Sequence, residues 1–241
     1  TDYRSEQLVR SIRLMIGRRV AGLAAIVSEM ETSLIQELTD SGIPVVFYDV
    51  GTPRPNITNI RVDYRKGVEK LVSYLHSLGH QRLGFIGHHS SLGPLNDRVQ
   101  SLFENVRKHS PNIAVKHVTD TDGLEGGRRA ARELLRTGFS PTAILCVNDI
   151  MAVGALRELR EQRLRVPLDI SVTGFDNIKL SEYCDPPLTT VHIPRQTIGE
   201  LVFESLVGGP ENSAPEGREI MVDPELVVRE STGAVARSGT R

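Results

Sequence analysis

The sequence predicts an α/β protein, built of parallel sheets flanked by helices, and three observations carry that prediction. Short apolar runs rich in Val and Ile alternate with longer segments of helical period, the pattern of strands buried on both faces beneath crossover helices. Polar Asp and Asn residues fall at the ends of several of those runs, where parallel sheets bind ligands. The βα alternation runs as two series, changing near Ser90 with no low-complexity linker between them, so two intimate lobes are expected instead of two independent domains.

Each element follows from local chemistry. Residues 4–17 place Leu8, Ile12, Met15 and Ile16 on one helix face, and residues 21–27 form an apolar strand. A short helix at 32–41 is closed by Gly42, and a strand at 44–50 leads into a loop at 51–56 that holds Pro53 and Pro55. The clearest helix is 63–78, with Asp63 as N-cap, Val68, Leu71, Val72, Leu75 and Leu78 at helical spacing, and Gly79 just past its end. Then come a strand at 82–86, a polar loop at 88–96, a helix at 97–108, a strand at 115–118 and a helix at 124–136. A strand at 143–147, a helix at 149–163 and a strand at 170–174 complete the second series. Residues 186–193 read as extended, 194–207 as a helix opened by Pro194, and 208–217 as a loop. Val222, Leu226 and Val228 around Pro224 suggest a strand pair or an irregular edge strand at 220–228.

Composition excludes several function classes. With 39% hydrophobic and 24% charged residues the 241-residue chain is neither disordered nor fibrous. No apolar run approaches the roughly 20 residues of a membrane helix, and the first residues do not read as a secretion signal. Lys and Arg total 29 against 30 Asp and Glu, so no bulk charge draws the chain to a polyanion. Cys146 and Cys184 are too few for a disulfide framework and too isolated for a zinc site; Cys146, inside an apolar run, reads as a small hydrophobe.

Motifs specific enough to name an enzyme are absent: no phosphate loop, no GxSxG elbow, no HExxH, and no GxGxxG after the first strand. No cofactor is expected. His88 and His89 lack further ligands at helical spacing, and a polar loop is the simpler reading. Asn56-Ile57-Thr58 is a glycosylation sequon by letter only. What remains is the strand-end set: Asp49 after 45–48, Asn148 and Asp149 after Val147, Asp176 and Asn177 after Phe175. Any one of these could be a helix N-cap, and Asp149 reads most simply as a pure cap. Together they favour a binding site, because carboxylates and amides offer the acceptors and donors that hydroxyl-rich molecules need.

At this point the residues carry a resemblance. Val166-Pro167-Leu168-Asp169-Ile170-Ser171-Val172-Thr173-Gly174-Phe175-Asp176-Asn177, followed by Asp185-Pro186-Pro187-Leu188-Thr189-Thr190-Val191, resembles the signature of the lactose-repressor (LacI) family of bacterial transcription regulators. Leu78-Gly79-His80, Asn148-Asp149-Ile150-Met151-Ala152 and the tail Pro224-Glu225-Leu226-Val227-Val228-Arg229-Glu230-Ser231-Thr232 extend it over essentially the whole chain. The resemblance implies a periplasmic-binding-protein-like fold of two lobes, one at 1–90 plus 194–216 on the dimerisation side, the other at 91–193 plus 217–241, with an effector cleft between them. It implies that the family's helix-turn-helix, and the first strand and helix of lobe one (about 30 residues with their connections), are missing from this sequence.

By the same resemblance Asp49 is the first-lobe carboxylate that binds a ligand hydroxyl. Arg98 is a fork of donors for adjacent hydroxyls or a carboxylate, and Asn148 and Asp176 complete the set. Asp122 falls near a position where sugar-responsive members stack an aromatic ring; an acid there, in a chain without Trp, points to a strongly polar ligand. The implied protein is a cytoplasmic, homodimeric, non-enzymatic repressor. Its effector is a sugar or similar small polar metabolite, and operator DNA is bound through the helix-turn-helix. The alternative on this fold is a periplasmic sugar-binding protein of an import system, and an enzyme ranks third.

Overall fold

The computed structural model describes residues 5–26, 32–49, 53–89, 93–109, 112–207 and 216–235. Val27 and Val50 at two expected strand ends, the series change at Ser90, and 208–215 of the expected loop lie outside the described residues. The chain divides into two units, one built from residues through Asp63 and from Pro194–Asp223, the other from most of 64–193 and the segment after 223.

In the first unit, β1 (Leu23–Ile26), β2 (Val45–Tyr48), β3 (Ile57–Val62) and β9 (Arg218–Val222) form a parallel four-stranded sheet in the order β1-β2-β3-β9. Alternation along β2 sorts its side chains onto two faces. Val45 and Phe47 join Ile12 of α1 (Ser5–Gly17) and Leu34, Ile35 and Leu38 of α2 (Thr32–Ser41) in one core. Val46, with Ile60 and Val222, packs on the other face against Ile198, Leu201, Val202 and Leu206 of α7 (Arg195–Val207). Helices on both faces explain why β2 is an unbroken apolar run.

In the second unit the sheet order is β5-β4-β6-β7, again parallel, from β4 (Arg82–His88), β5 (Ala114–Asp120), β6 (Ala143–Cys146) and β7 (Ser171–Thr173). A short antiparallel pair, β8 (Thr190–His192) with β10 (Glu225–Val227), completes it. The helices are α3 (Tyr64–Ser77), α4 (Gly93–His109), α5 (Leu124–Arg136) and α6 (Asp149–Glu161), with a 3-10 turn at Lys179–Glu182. α5 and α6 pack with almost nothing between them: a Cβ on Gly127 would overlap the Met151 carbonyl, and one on Gly154 the Leu124 carbonyl. Cys146 is buried and free, its thiol pushed up by burial.

The structure corrects the expected lobes. A strand belongs to the sheet whose backbone it bonds, and β4 bonds both β5 and β6, so residues 64–89 sit in the second unit and not the first. β9 bonds β3, which moves the segment before Asp223 to the first unit, while β10 stays in the second. The expected strand pair at 220–228 is therefore two strands in different units. Strand β3 was not anticipated at all, and α4 begins at Gly93, inside the expected loop.

Candidate functional site

The second unit gathers its polar residues at the carboxyl ends of β5, β6 and β7. β6 runs into Asn148, whose extended backbone (φ −148°, ψ 167°) ends the strand while its Oδ1 accepts the Met151 N–H at 2.8 Å, capping α6. The amide's other end is free to act outward, and Nδ2 donates to Asp122 Oδ1 at 2.9 Å. Asp122 is itself oriented by the Gly123 N–H at 2.8 Å. Asn148 is thus both the cap and a candidate ligand residue, and the cap was not Asp149.

Arg98 on α4 is the most constrained group of the site. Its Nη1 donates to the Val147 carbonyl at 2.7 Å and its Nη2 to Asp176 Oδ1 at 3.0 Å. The guanidinium lies against two buried rings, 4.6 Å from the centroid of Tyr64 and 4.3 Å from that of Phe175. Its side chain is only 12% exposed, and Nε is buried without a hydrogen-bond partner. Arg98, Asp176 and the end of β6 are therefore brought together, with Asn148 and Asp122 adjoining through Val147.

Asp49 lies in the first unit. It closes β2 in the left-handed region (φ 57°), its N–H bonds the Ile60 carbonyl at 2.9 Å, and its Oδ1 accepts the Val62 N–H at 2.9 Å. This carboxylate already has a local task, joining the ends of neighbouring strands.

Asp149 is buried, and its carboxylate accepts the Ile178 N–H at 2.8 Å and the Thr190 hydroxyl. Burial pushes its pKa up to about 6, with Asp176 adding to the rise and the Thr190 and Ile178 hydrogen bonds and Arg229 opposing it. Asp120, at the end of β5, is held by Arg129, whose guanidinium keeps that carboxyl below its ordinary range. Among the described residues, no three His, Cys, Asp or Glu are grouped as metal ligands would be.

Sequence reasoning missed the rings of Tyr64 and Phe175 and the work of the buried Asp149 and the part-buried Arg229. The available signals were an aromatic next to a strand-end acid in Gly174-Phe175-Asp176 and an arginine inside the apolar tail motif.

Parallel sheets under helices, with polar groups converging at strand carboxyl ends, fit a periplasmic-binding-protein-like domain, and the family model of that description matches residues 72–232. The chain is 30% identical over 234 residues to the HTH-type transcriptional repressor CytR of Escherichia coli K12, covering 97% of this chain and 69% of that protein. It is 32% identical to the PurR repressor of Vibrio vulnificus, over 91% of this chain and 66% of that one. The lac repressor dimer bound to operator and the anti-inducer ONPF superposes with a TM-score of 0.81 at 26% identity, over 96% of this chain and 80% of that one. The chain belongs to the LacI family of transcriptional regulators. That membership favours the regulator over the import-system binding protein. Among the described residues no helix is long and apolar enough to cross a membrane.

Proposed function

We propose that this chain is the effector-binding core of a cytoplasmic repressor that senses a small hydroxyl-rich metabolite, a sugar or polyol, and through it controls DNA binding. Arg98, Asp176, Asn148 and Asp122 are the ligand residues of the second unit, and Asp49, in the first, is proposed on the family resemblance. Operator DNA is bound through the family's helix-turn-helix in a homodimer. The effector acts through its differential affinity for the DNA-binding and released forms. No catalytic role is assigned, and no cofactor.

The observation that carries the choice of ligand is the setting of Arg98. Both aromatic rings beside it are buried and take their places against its guanidinium, so neither offers an open face on which a nucleobase could stack. What the site presents instead is a neutralised Arg98–Asp176 pair and the Asn148–Asp122 pair, groups suited to hydroxyls.

A thermal-shift screen of sugars, sugar acids, polyols, nucleosides and nucleobases tests this. A true effector at a hundredfold excess over its Kd adds about 2.7 kcal/mol of stability, and the expected hits are neutral sugars or polyols. Hits confined to nucleobases or nucleosides would overturn the ligand class, and steady turnover of a hit would overturn the regulator. Asp176→Ala is expected to abolish the shift, at a basal cost of about 2–3 kcal/mol because it leaves the part-buried Arg98 guanidinium without its carboxylate.

A further inference from the structure

The loop that carries Asp176 is strained. Asp176 (φ 109°) and Asn177 (φ 50°) both sit at positive φ, where a side chain meets its own backbone. Such a conformation persists only where its surroundings over-determine it, and two charged groups outside the proposed ligand set, the buried Asp149 and the part-buried Arg229, supply that restraint from opposite sides.

On one side is Asp149. Its N–H donates to the Phe175 carbonyl at 2.8 Å and its Oδ2 accepts the Ile178 N–H at 2.8 Å, so one residue brackets the turn at both ends. Its Oδ1 accepts the hydroxyl of Thr190, which in turn faces the Asn177 N–H at 3.3 Å. Gly174 makes this approach possible, since a Cβ there would overlap Asp149 Oδ1. On the other side is Arg229, from the tail after β10. Its Nη2 donates to Asn177 Oδ1 at 2.8 Å and its Nη1 to the Leu188 carbonyl at 2.8 Å and to Ser181 Oγ at 3.3 Å. Ser181 closes the ring, lying 3.2 Å from Asn177 Oδ1 and donating to the Ile178 carbonyl at 2.7 Å.

We propose that Asp149 and Arg229 are positioning residues for effector recognition: as a two-sided clamp they hold Asp176 and Asn177 at positive φ in the turn Asp176-Asn177-Ile178 and so fix the direction of the Asp176 carboxylate. The clamp is responsive to pH, because protonation turns one acceptor oxygen of Asp149 into a donor and changes how it meets the two donors it now serves. The ionisable groups around it are Asp176 and His192 beside the turn, Arg229 of the tail, Cys146 and Cys184, with Lys179 and Glu182 of the 3-10 turn beyond Arg229. The inference rests on the reading of Asp176 as a ligand residue.

Backbone amide exchange followed by NMR on the chain alone tests the clamp without any effector. Arg229→Gln and Asp149→Asn are each expected to lower protection of the Asp176, Asn177 and Ile178 amides at least tenfold while the amides of β4 and β6 stay unchanged; Arg229→Lys restores part of it. A uniform loss across the sheet, or no loss, would overturn the proposal. Should a variant fail to fold, the wild type suffices: the Ile178 amide proton is expected to shift with pH along the titration of Asp149. A flat Ile178 response overturns the clamp. Failure of every sugar and polyol to bind would sink the proposed function and leave the exchange result standing.

Discussion

At the C-terminal end of α6 the Glu158 carboxylate, 0% exposed, is met by Arg132 at 2.7 and 2.9 Å, by Arg128 at 3.3 Å and by Gln162 at 2.9 Å. The arginine hydrogen bonds bring its pKa down to about 2. At the N-terminal end of the same helix, Asp149 is also buried but accepts, among the described residues, only from a backbone N–H and a hydroxyl, and its pKa climbs to about 6. Burial penalises both charges, and what differs is whether a guanidinium bonds the carboxylate directly to repay the loss of water. One end of α6 is built to be stable and the other tolerates a cost for the sake of a turn, as binding loops often do.

The largest effect that would break this contrast lies where α5 meets α6. Gly127→Ala puts a methyl into the Met151 backbone, which no rotamer can avoid, and is expected to cost about 3 kcal/mol or more; a urea midpoint close to wild type would show that the helices are not locked there. Next is Glu158→Ala. Removing one partner of a buried pair usually costs about 3–5 kcal/mol, but Arg128 and Arg132 are 31% and 38% exposed and can rehydrate, so about 2–3 kcal/mol is expected at neutral pH.

The two acids also give opposite pH slopes. Glu158, lowered from 4.5 to about 2, contributes stability that is present above its ordinary pKa and lost as pH falls toward 2. Asp149, raised from 3.8 to about 6, favours the fold at low pH, and that contribution is lost as pH rises through 6. Their sum peaks at about pH 4. Denaturation measured on both sides of that value should show Glu158→Gln flattening the acid limb and Asp149→Asn the limb above it; an unchanged upper limb in Asp149→Asn would mean that Asp149 is hydrated. The smallest effect is the control: Arg13→Ala breaks an exposed pair with Glu37 and should leave the melting temperature where it was.

How far these features were legible in the sequence follows from how local they are. The helix ended by Gly79 and the apolar strand at Val45 were readable because period and punctuation are written in neighbouring residues. Strand β3 was not, since its run Ile57-Thr58-Asn59-Ile60-Arg61-Val62 is broken by polar residues and follows a proline loop. Sheet membership misled for the same reason: β9 and β10 are near neighbours in sequence yet pair with strands in different units, and no local pattern records that. Asp176, Arg98, Asn148 and Asp122 were named by position, and the structure joins them through Val147 and two hydrogen-bonded pairs. Asp149 looked like a cap because caps and braces occupy the same place in sequence; only Thr190 and Ile178, brought in by the fold, tell them apart.

One consequence of the Arg98 setting concerns time. An arginine side chain carries about 2 kcal/mol of rotamer entropy, and here two rings, a carbonyl and a carboxylate have already taken up that freedom. If Arg98 receives the effector as proposed, an arriving molecule meets a template that it has no need to order. Ligands that differ by a single hydroxyl should then reach this corner at similar rates and be told apart by how soon they leave, so the repressor's selectivity would be written in residence times.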